Sequence, residues 1–112
     1  MNSKLKNNVY LRINKAKDLI RLRKYEEAFS LLEDAHVLGQ RYILPHTIAH
    51  IYMLKIGFLQ KDIKEIIGQL FRIPTGVLGS MVGILPIGNT GGSNVSPFKK
   101  MEIRDDLQKM LQ

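Results

Sequence analysis

The spacing of the apolar residues constrains this chain most, because it follows the helical turn almost everywhere and the strand nowhere. Val9, Ile13, Ala16 and Ile20 recur at i, i+4, i+7 and i+11, which is one face of a helix. Ala28, Leu31, Leu32, Ala35 and Leu38 form a second stripe, closed by Gly39. Pro45 suits the first turn of a third helix, where its missing N–H has no intrahelical partner to lose. Ile48, Ala49, Tyr52 and Ile56 then run to a stop at Gly57. Asp62 is placed to cap a fourth helix, with Ile63, Ile66, Ile67 and Leu70 facing inward and Pro74 ending it. No segment alternates apolar and polar residues as a half-buried strand requires, so the expected fold class is all-α.

A chain of 112 residues makes one domain with a modest core. The spacing divides it into a basic lead over 1–8, two antiparallel helical hairpins over 9–74, a glycine-rich cover and loop over 75–98, and a C-terminal tail with a short helix over 99–112. The cover is expected to be a short helix opened by Pro74. Its glycines Gly76, Gly79 and Gly83 would allow close approach of the core or, in a homodimer, of a second copy. The loop after it, "PIGNTGGSNVSPFKK", lacks the residue order of a phosphate-binding or dinucleotide-binding turn and is expected to wrap the surface. Leu107 and Leu111 are the apolar pair of the last helix.

The hairpins resemble tetratricopeptide repeats. In "LRKYEEAFSLLEDAHVLGQ", Leu22, Tyr25, Ala28, Leu32 and Ala35 take the large, aromatic, small, large and small positions of that pattern. Small residues at 28 and 35 would let paired helices approach. Shifting by the repeat's period of about 34 residues brings Ile56 under Leu22 and puts Pro74 at the closing proline. Asp62 then stands where a small residue belongs, so the second unit is degenerate.

The net charge of +7 is concentrated at one end. Residues 1–24 hold Lys4, Lys6, Arg12, Lys15, Lys17, Arg21, Arg23 and Lys24 against the single acid Asp18, and the remainder is neutral. Such a segment could steer an anionic partner, yet its aromatic residues are too few for base stacking, so nucleic acid is the least favoured partner. With Arg12 and Lys15 it could instead hold an acidic peptide on a tetratricopeptide-like face. The chain has no cysteine, which removes disulfides, thiolate metal sites and a cysteine nucleophile. It shows neither a secretory h-region nor a membrane-length apolar run, so the expected setting is the cytoplasm with no membrane contact.

All three histidines fall in "HVLGQRYILPHTIAH". His46 and His50 are four residues apart on the third helix and project from one face. His36 sits in the last turn of the second helix, joined to the third by a short connection, so an antiparallel hairpin brings the three rings to one corner. Glu33, one turn before His36, adds a carboxylate. Three imidazoles and a carboxylate suit a divalent transition metal, with zinc the first candidate, and a three-histidine set leaves a coordination position open. Ser30, His36 and Asp34 do not make a hydrolytic triad, because Ser30 and His36 point from different faces of one helix. No reaction class is legible, so binding or sensing is preferred to catalysis.

The segments "LEDAHVLGQR", "PHTIAHIYML", "IIGQLFRIP" and "PIGNTGGSNVS" together resemble a family of small bacterial proteins catalogued as domain of unknown function 3703. The likeness covers roughly residues 25 to 107. It implies a bacterial source and no activity, and it includes His36, His46 and His50.

Overall fold

The computed structural model describes residues 1–112 and contains five helices and no strand: α1 Ser3–Arg21, α2 Tyr25–Gly39, α3 Ile43–Leu59, α4 Ile63–Val82 and α5 Asp105–Leu111. α1 packs on α2 and α3 on α4, and the α2–α3 contact joins the two hairpins. No helix is long and apolar enough to cross a membrane.

The first helix begins six residues earlier than the apolar spacing indicates. The Asn2 side chain accepts the Leu5 N–H at 2.8 Å and so caps an N-terminus that would otherwise leave its donors unpaired. Leu5 is buried, so residues 3–8 of the expected basic lead are the first turns of α1. The predicted stripe Val9, Ile13, Ala16 and Ile20 is buried in full. Two apolar clusters make the core. One gathers Leu5, Val9, Ile13, Ala35, Val37, Leu38 and Leu107, and the other Ala16, Ile20, Ala28, Leu32, Met53 and Ile56. Ala28 and Ala35 are fully buried between helices, which is the close crossing that small residues allow. Leu22, by contrast, is exposed in the turn. α5 is seated by Leu107 and tied to α2 by Arg104, whose guanidinium donates to both carboxylate oxygens of Asp34 at 3.0 and 3.2 Å.

The two hairpins share one turn. Arg23 N–H donates to Ile20 O at 3.0 Å and Lys24 N–H to Leu19 O at 2.9 Å; Lys61 and Asp62 repeat this on Phe58 O and Gly57 O at 3.2 and 2.9 Å. Both are Schellman closures with a left-handed residue, Arg23 at φ 59° and Lys61 at φ 55°. These equivalent positions, 23 and 61, lie 38 residues apart, so the spacing of the turns differs from the 34-residue tetratricopeptide period. A side chain in the left-handed region costs on the order of 1 kcal/mol. Lys61→Gly is therefore expected to stabilise the protein by about 0.5–1 kcal/mol, read as a higher urea midpoint at unchanged slope. An unchanged or lower midpoint would mean the turn carries no such strain.

α4 departs most from expectation. Pro74 does not end it, and the segment expected to be a separate cover is its second half. Pro74 and Leu70 are both exposed, so the carbonyl left without a donor is open to water, and Thr75 Oγ donates to Phe71 O at 2.8 Å beside the gap. The helix ends at Gly83, which is left-handed at φ 76°. Its orientation is also reversed. Ile63, Ile67 and Leu70 are exposed at 63, 64 and 55%, while Glu65, Gln69 and Arg72 are the buried residues. The inward face of α4 is polar because of what it meets.

Candidate metal centre

The end of α2, the start of α3 and the polar face of α4 meet at three buried imidazoles. The Nε2 atoms converge: His36 to His50 is 2.9 Å, His36 to His46 is 2.9 Å and His46 to His50 is 3.2 Å. The α2–α3 hairpin and the four-residue spacing of His46 and His50 place the rings as the sequence indicates. What fixes their orientation is the set of groups behind them.

His36 Nδ1 lies 2.7 Å from Asn89 O. A carbonyl only accepts, so Nδ1 carries the proton and Nε2 presents a lone pair. His50 Nδ1 lies 2.6 Å from Gln69 Oε1. The amide cannot be turned round, because Gln69 Nε2 donates to Glu65 Oε2 at 2.7 Å and to Gly91 O at 2.9 Å, both acceptors. Nδ1 of His50 is therefore also the protonated nitrogen, and its Nε2 also presents a lone pair. Between His36 and His50, two lone pairs face each other at 2.9 Å in every neutral arrangement. Behind its ring, His46 has only a long contact of 3.4 Å from Nδ1 to Ser80 Oγ, and a proton on its Nε2 would be shared between the two lone pairs without lying on the edge between them.

Nor does extra protonation relieve it. Burial holds His36 well below its ordinary range, and the neighbouring His50 and His46 push it in the same direction. Burial lowers His46 to about 4, and burial together with His46 lowers His50 to about 3. All three are neutral at pH 7. Convergent neutral imidazoles with their far nitrogens donating to carbonyl oxygens form the arrangement that orients metal ligands and raises their basicity. Around one ion at bond lengths of about 2.0–2.1 Å, donors stand about 2.9 Å apart at right angles and about 3.3–3.4 Å apart at tetrahedral angles. The observed separations of 2.9, 2.9 and 3.2 Å lie within that range.

Glu33 is not brought into this group. Its carboxyl is half-buried and raised above the ordinary carboxylate range chiefly by that burial. The carboxylate that serves the site is Glu65, one hydrogen bond behind Gln69 and held by Ser93 Oγ–H at 2.9 Å. The glycine-rich loop is not a surface wrap but the wall of the site. Asn89 is buried; its Nδ2 donates to Ser96 O and Lys99 O at 2.8 Å each, and its Oδ1 accepts Gly91 N–H at 2.9 Å. That bracing aims the Asn89 carbonyl at His36. Gly76 belongs here as well, since a Cβ on it would stand 3.1 Å from the His46 ring.

A signal for these residues was present in the sequence. Glu65, Gln69, Arg72, Gly76 and Ser80 repeat at helical spacing as a polar and small stripe, opposite the isoleucines and leucines that hydropathy favours. Nothing in the spacing of the loop indicates Asn89, because the group it turns to His36 is a backbone carbonyl and its side chain bonds only to backbone groups of the loop.

A family model described as a protein of unknown function (DUF3703) matches residues 3–111 of the chain. No curated protein and no solved structure matches it.

Proposed function

Since the chain belongs to DUF3703, a family whose description carries no activity, we propose from the site itself that it binds one divalent transition metal ion, with zinc the first candidate. The ligands are Nε2 of His36, His46 and His50. One observation carries the reading: the partners of Nδ1 on His36 and His50 turn two lone pairs toward each other at 2.9 Å. A cation at the point of convergence turns that repulsion into coordination, and no assignment of one proton to each neutral ring puts a donor between His36 and His50. Gln69 and Asn89 are the groups that hold the ligands, and Glu65 strengthens the chain through Gln69. Softness and geometry admit zinc, nickel, copper or ferrous iron, because imidazole suits all four. Three protein ligands leave at least one position open, which favours exchange of metal or of a second ligand over a sealed structural role.

The test is X-ray fluorescence on protein purified without tag or chelator, beside the variant with His36, His46 and His50 all changed to Ala. Close to one equivalent of a single transition metal is expected, and none in the variant. No metal in either sample, with no thermal shift on adding zinc, copper, nickel or ferrous iron, would end the metal reading.

A further inference from the structure

The three histidines open on a cavity of about 290 Å³, the size of site that holds a small molecule. Arg72 and Lys100 line it, and no carboxylate does. Most of its other polar groups are already engaged. Gln40 Nε2 donates to Pro86 O at 2.8 Å and Gln40 Oε1 accepts Gly88 N–H at 3.1 Å. Thr75 Oγ–H is committed to α4 itself.

Arg72 is different. Only 7% of it is exposed, and it takes part in no ion pair. One Nη donates to Val95 O at 2.6 Å, whereas Nε is buried without any hydrogen-bond partner. Glu65 is the acid whose charge reaches Arg72, and its oxygens are taken up by Gln69 and Ser93. Buried guanidinium groups are ordinarily paired, because an unpaired buried charge and an unmet donor each carry a desolvation cost. This cation lines, together with His36 and His50, a cavity without an acid.

We propose that the cavity takes a small oxyanion, a carboxylate or an inorganic oxyanion, that places one oxygen on the metal's open position and another on the Arg72 guanidinium. The proposal rests on the metal reading. The fork of Arg72 suits an anion with two coplanar oxygens, and Lys100, exposed at the rim, adds positive charge along the approach. A neutral ligand would leave the buried charge as it stands, and a cation would be repelled by both residues and the metal.

The experiment titrates formate, and separately inorganic phosphate, into zinc-loaded protein by calorimetry, with zinc content measured on every sample. The proteins are the parent chain, Arg72→Met and Arg72→Lys. The parent is expected to bind at least one anion, with affinity at least tenfold weaker in Arg72→Met at an unchanged single equivalent of zinc. Arg72→Lys, which keeps charge but loses the fork, is expected to fall between. Should Arg72→Met fail to fold, Arg72→Lys carries the comparison by itself. Absence of anion binding with zinc in place overturns the proposal, and so does equal binding in the variants. Equal affinity in the metal-free parent overturns the coordination of the anion to the metal. A sample that takes up no zinc is a failure of the metal reading and is recognised as such before any anion is added.

Discussion

Acidifying the metal-free protein from pH 7 to pH 4 is expected to remove stability on the order of 3–6 kcal/mol, most of what a domain this size has. The cause is the three histidines. In the unfolded chain they titrate near 6.5, whereas in the fold His46 is lowered to about 4, His50 to about 3, and His36 in the same direction. Below 6.5 the unfolded state therefore binds more protons than the native state, and stability falls with pH. The contribution is fully present above 6.5 and is spent progressively toward the folded values. Burial sets the sign, reinforced by the neighbouring imidazoles and least by Arg72 on α4, while the hydrogen bonds to Asn89 O and Gln69 Oε1 favour the protonated form only in part. Metal occupies the same nitrogens, so saturating zinc is expected to hold the fold to lower pH, adding about 2.7 kcal/mol at one hundred times its Kd. Urea unfolding followed by circular dichroism at a series of pH values measures both effects. Stability that stays flat from pH 7 to pH 5 without metal would show that the imidazoles are not buried as described.

Changing Gly91 to Ala is expected to lower metal affinity by about 100-fold or more and to cost about 2–4 kcal/mol of stability. Gly91 is left-handed at φ 89°, and a Cβ there would stand 2.7, 2.8 and 2.9 Å from three atoms of the His36 ring. Those atoms belong to a ring held on its other side by Asn89, so it cannot yield without leaving the convergence point. Gly83 is the control. It is left-handed at φ 76° with nothing within 4 Å, so Gly83→Ala should cost only about 1 kcal/mol and leave metal binding unchanged. Zinc titration of both variants separates backbone strain from ring displacement. Equal loss of affinity in the two would refute the steric account of Gly91.

The helices and the histidine corner were legible for the same reason. Val9, Ile13, Ala16 and Ile20 declare a buried face by periodicity, and the four-residue step from His46 to His50 declares a shared face by geometry. Burial that is not apolar leaves no such apolar mark in the sequence. Ile63, Ile67 and Leu70 made the obvious inward stripe of α4, and they point outward because Gln69 and Arg72 are needed within. Pro74 has the local signature of a terminator because it removes a hydrogen bond, but packing on α3 carries the helix past it. Glu33 is the carboxylate one helical turn before His36, whereas Glu65 arrives through a fold contact that no local spacing encodes.

The reversed face of α4 has a consequence for how the native arrangement is chosen. Rolling this helix half a turn about its axis would shelter Ile63, Ile67, Leu70 and Leu78 and send Glu65, Gln69 and Arg72 into water. Transfer free energy favours the roll, at about 1.5–3 kcal/mol for each large side chain hidden. What opposes it is a set of directed bonds: Gln69 to His50, to Glu65 and to Gly91, and Arg72 to Val95. The azimuth of α4 is thus selected by complementarity and against oiliness, which makes the rolled helix a rival that apolar burial alone would favour. The side chains that hold the imidazoles in place are the same ones that separate the native state from that rival.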